Sequence, residues 1–161
     1  MPSPDLEDIQ AELASFLASR RTLVLGTLNE DGRVELSVAP FVPHGDGFAV
    51  FLSELAPHTA NLGRTQLAQV LLLEDEAQVR QPFARTRVSF DCRAERLDRE
   101  SAQGRAVLQV MEASFGGIVP LLFSLPDFHL FLLTPGAGRF VAGFGRAFRL
   151  EGLRVVEHLG R

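Results

Sequence analysis

Between Arg21 and Ser53 the apolar positions fall into short runs rich in Val, Leu and Phe. These are Arg-Thr-Leu-Val-Leu-Gly-Thr-Leu (21–28), Arg-Val-Glu-Leu-Ser-Val-Ala-Pro-Phe-Val (33–42) and Phe-Ala-Val-Phe-Leu-Ser (48–53). Asp-Gly turns at 31–32 and 46–47 part them, which predicts a meander of hairpins. The next stretch, Ser53 to Leu62, leaves a strand and enters a short helix through His58, Thr59 and Asn61. A strand-to-helix corner that turns donors toward a helix N-terminus is a natural anion site.

Elsewhere the pattern alternates between helical and extended spacing. Pro4 to Arg20 predicts an opening helix, capped by Ser3, with Leu6, Ile9, Leu13, Phe16 and Leu17 on one stripe. Ala68 to Leu73 is a near-continuous apolar run of the kind a strand buried on both faces shows. The clearest strand has Val88, Phe90, Cys92 and Ala94 alternating with Arg87, Ser89, Asp91, Arg93 and Glu95. Asp98 is placed as the cap of a helix with Ala102, Ala106, Val107, Val110 and Met111 on one face. Residues 115–124 read as apolar and irregular, because Pro120 limits a helix. A strand from Phe128 to Thr134, a Pro-Gly-Ala-Gly turn, and short extended pieces ending at His158 complete the chain. Many short strands at turn spacing predict a barrel rather than a parallel sheet.

Composition narrows the class. At 161 residues the chain is read as a single domain, an N-terminal helix (1–20) packed on a barrel (21–161). A net charge of −4 without a basic patch argues against nucleic acid. No apolar run has membrane-spanning length, and the acidic N-terminus does not read as a leader. With Cys92 its one cysteine, the chain is expected in the reducing cytoplasm. There are 13 Phe but no Trp or Tyr, so polar contacts to a ligand fall to Arg, His, Ser, Thr, Asn and backbone.

Several segments, in order, carry a family resemblance: Ser-Val-Ala-Pro-Phe-Val (37–42), Ala-Pro-His-Thr-Ala-Asn-Leu (56–62), Leu-Leu-Glu-Asp-Glu (72–76) and Phe-Ala-Arg-Thr-Arg-Val-Ser-Phe (83–90). Asp-Phe-His-Leu-Phe (127–131) and Gly-Arg-Phe-Val-Ala-Gly-Phe-Gly-Arg-Ala (138–147) complete the set. The chain resembles the haem iron utilisation branch (the HugZ and HutZ type) of the pyridoxamine 5'-phosphate oxidase-related, FMN-binding split barrels. That resemblance implies a mainly β (α+β) fold, a six-stranded split β-barrel with flanking helices, in a homodimer. It also implies a cofactor held in the cleft between subunits, haem, with oxidative opening of the ring to release iron. FMN in a flavin oxidoreductase is the alternative, and a non-catalytic carrier of a flat tetrapyrrole is a further one.

Within this resemblance Arg21, Thr22, His58, Thr59, Asn61, Arg85 and Arg87 are the expected cofactor-binding residues. Arginine suits propionate or phosphate because its planar fork binds two oxygens at once. Pro57 and Ala60 stand where relatives carry arginine, which leaves a larger share to the remaining ones. Asp127 matches an acidic residue that, in the family, bonds the iron-ligating histidine and orients it. That histidine lies on the C-terminal tail; the sequence ends at Arg161, and His158, a few residues before the matching position, is the metal-ligand candidate. His129 reads as a satisfied, partly buried histidine, His44 as a turn residue, Cys92 as a buried thiol, and Gly143-Phe-Gly145 as a bulge or corner.

Overall fold

The computed structural model describes residues 3–160. Helix α1 (Leu6–Ala18) leads into strands β1 (Thr22–Leu28), β2 (Val34–His44) and β3 (Gly47–Ser53). Helix α2 (Pro57–Thr65), β4 (Leu67–Leu73) and β5 (Arg87–Leu97) follow, with two 3-10 turns between the strands. Helices α3 (Ala102–Phe115) and α4 (Ile118–Phe123) precede β6 (Phe128–Val141), β7 (Ala147–Glu151) and β8 (Arg154–His158). All pairings are antiparallel in the order β3-β2-β1-β4-β5-β6, and β3 pairs again with β6. The ring is therefore a closed six-stranded barrel, as expected, with the β7–β8 hairpin extending from the far half of β6.

Alternation fills the barrel. Leu23, Leu25, Val50, Val70, Leu72, Val88, Phe90 and Leu133 are fully buried, and Phe48 packs edge-on against Phe41 at 5.4 Å and near Phe90 at 5.7 Å. Helix α1 adds Ile9 and Leu13 to this core and stacks Phe16 on Phe140. The Gln10 amide donates to Leu153 O and accepts from Val155 N, so it reads the β8 backbone as a neighbouring strand would. A smaller cluster, Val107, Leu108, Met111 and Val119 against Val42, Ala49 and Leu130, seats α3 and α4 on the opposite side of the β2–β3–β6 wall. The Arg99 guanidinium lies 4.3 Å over the Phe123 ring and donates to the Leu125 and Phe128 carbonyls, fixing the way back into β6.

Several local expectations change. Asp5, not Ser3, caps α1 by accepting from Glu7 N, because a carboxylate two residues ahead reaches the orphan amide. Ser101, not Asp98, caps α3 through Gly104 N; Asp98 instead closes the preceding turn by accepting from Glu100 N. The buried face of α3 is accordingly Gly104, Val107, Leu108 and Met111, while Ala102, Ala106 and Val110 face outward. Pro120 sits in the first turn of α4, where a missing N–H costs nothing, so a helix forms through it. Ile118, Leu121 and Leu125 of this apolar segment are exposed in the single chain.

The expected turn at 135–138 is absent, and β6 runs straight through it. A register shift opposite Pro135, between Phe90 and Cys92, absorbs the irregularity and coils the long strand. Gly138 is there for close approach: a Cβ would meet Phe90 Cδ1 at 2.7 Å and Ser89 O at 2.9 Å. In β4 only alternate residues are buried, and Leu67 and Leu71 turn outward.

Gly138→Ala should therefore destabilise the protein by about 1–3 kcal/mol, the usual range for overpacking, measured as a lower midpoint in urea with unchanged slope.

Candidate functional site

Two sides of the barrel wall divide the expected site residues. Along the outer face, strand register sets Val38, Val24 and Leu71 side by side across β2, β1 and β4. The same row continues through Ser89 on β5 to Arg139 on β6 and Arg149 on β7. The row is thus apolar at one end and basic at the other. Thr22, Val24, Val38, Leu71, Leu73 and Arg85 line one cleft of about 500 Å³. Leu71 also borders a second, of about 380 Å³, with Arg87, Ser89, Arg139, Phe83 and Phe144.

Two arginines of this face are oriented by main-chain carbonyls. Arg85 Nε donates to Glu74 O at 2.8 Å, and Arg87 Nη1 donates to Arg85 O at 2.8 Å. Arg21 also borders the first cleft, and its guanidinium donates to Ser114 O and lies 5.2 Å over the Phe115 ring. Among the described residues Arg21, Arg85, Arg87 and Arg139 pair with no carboxylate, whereas Arg20, Arg146 and Arg149 do. Unpaired guanidinium groups beside an apolar strip suit a flat ligand with an anionic arm.

His58, Thr59 and Asn61 lie elsewhere, buried where α2 closes one end of the barrel. His58 Nδ1 and Ser37 Oγ share a hydrogen bond of 2.5 Å, Thr59 Oγ1 donates to Ser53 O, and Asn61 Nδ2 donates to Thr27 Oγ1. Within one chain these groups do not share a cleft with the arginines; their polar atoms satisfy one another and the wall. Asp127 belongs to this end, since its Oδ2 accepts from Ser53 Oγ at 2.9 Å. Ser53 is the junction that sequence reasoning missed, tying β3, α2 and Asp127 together. Nearby, Arg96 donates to His129 Nδ1, so the Nε2 proton goes to Glu54 Oε1 at 2.5 Å.

His158 closes β8. Its Nε2 donates to Gly145 O at 2.9 Å and its ring packs 5.0 Å from that of Phe148, so it braces the Ala142–Arg146 turn beside the second cleft. Among the described residues no group of three or more His, Cys, Asp and Glu gathers as a metal site. No helix of the structure is long and apolar enough to cross a membrane.

The family model for pyridoxamine 5'-phosphate oxidase matches residues 9–142. The protein of Vibrio cholerae named heme oxygenase HutZ is 38% identical over 149 residues, covering 92% of this chain and 85% of its own length. This chain belongs to the haem-utilisation branch of that split-barrel family. The crystal structure of Vibrio cholerae HutZ, described there as a heme storage protein, superposes with a TM-score of 0.75 at 37% identity, covering 82% of this chain and 91% of HutZ. Campylobacter jejuni ChuZ gives a TM-score of 0.89 at 30% identity, covering 98% of this chain, which spans 65% of ChuZ.

Burial holds the His58 imidazole below its ordinary value of 6.5. The folded site then binds fewer protons than the unfolded chain, so its contribution to stability is full above pH 6.5 and is lost as pH falls below it. The destabilisation caused by His58→Gln should accordingly be largest at pH 8 and shrink toward pH 5, in paired urea titrations across that range.

Proposed function

We propose that this protein is a homodimer that binds haem in a cleft on the outer barrel face, between subunits, and supports oxidative opening of the ring to release iron. The observation that carries this reading is the row from Val38 to Arg139, in which an exposed apolar strip meets guanidinium groups without carboxylate partners. The apolar half is too exposed for a monomer: Leu36, Val34 and Val38 are 73%, 68% and 63% accessible, and Leu28 and Leu67 extend the patch. A second copy laid on it would bury the strip and wall the clefts. The relationship to HutZ, named a heme oxygenase in Vibrio cholerae, supports the choice of haem.

In this reading Thr22, Arg85 and Arg87 hold the cofactor, and the apolar wall of Val24, Val38 and Leu71 excludes water from its face. Haem, when bound, supplies both the redox-active iron and the ring that is opened. His58, Thr59 and Asn61 reach such a ligand only across a subunit boundary; in one chain they set the α2 corner, and Asp127 is oriented through Ser53. His158, beside the second cleft, would be the imidazole that holds the iron. To serve the iron through Nε2 it gives up its bond to Gly145 O, a loss of about 1 kcal/mol. FMN is the second reading, favoured by the family match at residues 9–142 and by the same anion partners.

A dimer should appear in light scattering at micromolar concentration, and Leu36→Asp should convert it to a folded monomer; a monodisperse wild-type monomer would sink the interface. Titration with ferric haem should develop a Soret band, and Arg87→Ala should weaken uptake roughly ten-fold, as loss of a charge-assisted contact does. His158→Ala should abolish a histidine-ligated spectrum; its survival assigns the iron to another residue. A flavin doublet in place of the Soret band selects FMN.

A further inference from the structure

We propose that Arg139, with Ser89 opposite it and Phe83 and Phe144 at the rim, forms an anchoring subsite for the acidic arm of a planar ligand. This deepens the haem-binding reading and rests on it for the identity of the ligand. Arg139 and Ser89 are direct cross-strand partners on β6 and β5, so their Cβ atoms are roughly 5 Å apart. A guanidinium and a hydroxyl at that spacing bind one carboxylate together, the fork taking two oxygens and the hydroxyl donating a further bond.

The surroundings leave Arg139 available. Its other cross-strand neighbour, Arg149, is held by Glu157 at 2.8 Å and Glu151 at 3.0 Å. Arg146, on the same rim, is held by Glu12 at 2.6 Å and by the Ala142 carbonyl. Neutralising those two and not Arg139 concentrates positive potential on the cleft floor. Arg87 shares the cleft, so an arm bearing a second charge finds a second partner.

Two phenylalanines stand at this mouth with unusual exposure, Phe83 at 84% and Phe144 at 69%. Neither rests in the core, yet both are positioned by their backbone. Gln81 accepts from Phe83 N to set the 3-10 turn, and the turn carrying Phe144 is closed by its own backbone, Ala142 N donating to Arg146 O at 2.8 Å and Arg146 N to Gly143 O at 3.2 Å. Apolar rings held in water above a basic floor suit a conjugated ring system whose charge sits on a side arm. A cleft of about 380 Å³ is at the lower end of ligand pockets, roughly 300–1,000 Å³, which fits the edge of such a ligand rather than the whole.

The shared chemistry is a flat aromatic body with an anionic arm, whether a porphyrin carboxylate or a flavin phosphate. The test uses iron-free protoporphyrin IX and its dimethyl ester, followed by fluorescence, so that iron ligation plays no part. Wild-type protein should bind the acid ten-fold or more tightly than the ester. Arg139→Ala should cut the preference for the acid several-fold, the remainder being held by Arg87, and leave the ester unchanged, with Arg139→Lys recovering part of the loss. Phe144→Ala should weaken both alike, while Arg105→Ala, the same charge change on α3, should alter neither. Equal affinity of acid and ester for wild type, or an Arg139→Ala protein whose preference for the acid matches that of wild type, overturns the subsite. If wild type takes up FMN and no porphyrin, the haem reading falls alone. The subsite then stands if Arg139→Ala lowers the preference for FMN over riboflavin, and falls if that preference is unchanged. Uptake of neither ligand overturns both.

Discussion

The second pairing of β3, with β6, is the constraint on which the remaining structure depends. Six residue pairs from Phe48↔Leu133 to Ser53↔Phe128 close the sheet on itself. Closure removes the edges of the ring and gives every inward side chain a packed neighbour. It sets Phe48 between Phe41 and Phe90. It also explains Gly47, where any Cβ would collide with the Leu133 carbonyl as the two strands come together. Because β3 is held on both sides, its last residue is fixed well enough for the Ser53 hydroxyl and carbonyl to organise Asp127 and α2.

Closure also separates polar groups by side. Groups pointing toward the barrel end under α2 are desolvated, and each is matched: His58 with Ser37, Asn61 with Thr27, Thr59 with the Ser53 carbonyl. On the outside Arg85 and Arg87 are aimed by carbonyls, which fixes a guanidinium without neutralising it. The first set favours rigidity; the second keeps charge ready for a partner from solution.

Much of this was legible in the chain. The Asp-Gly turns and the alternation at Val88–Glu95 set strand identity, and the ordered family segments implied the ring they close. The errors have local causes. Pro-Gly-Ala-Gly has the composition of a turn, but here glycine serves a close contact with Phe90, which depends on a partner strand about fifty residues away in sequence. Reading a turn there also placed Arg139 at a strand start and hid its register with Ser89. The caps of α1 and α3 slipped by two or three residues because several Ser and Asp candidates stood in a row and only backbone direction chooses among them. His58, Thr59, Asn61 and the arginines form one list in sequence, whereas the strands route them to different sides of the wall. Phe83 and Phe144 gave no sign, since an apolar residue in a loop reads like any other until its exposure is known.

Cys92 lies in β5, 3% exposed and alternating with Val88 and Phe90 toward the core. Burial, and then the charge of Asp91, push its thiol up to about 12. At pH 7 roughly one molecule in 10⁵ therefore carries the reactive thiolate while the wall is intact. Alkylation of the chain's one cysteine must wait for β4 and β5 to part. The speed at which a thiol reagent labels the protein thus clocks the breathing of the barrel itself, with no probe added and one reporter per chain.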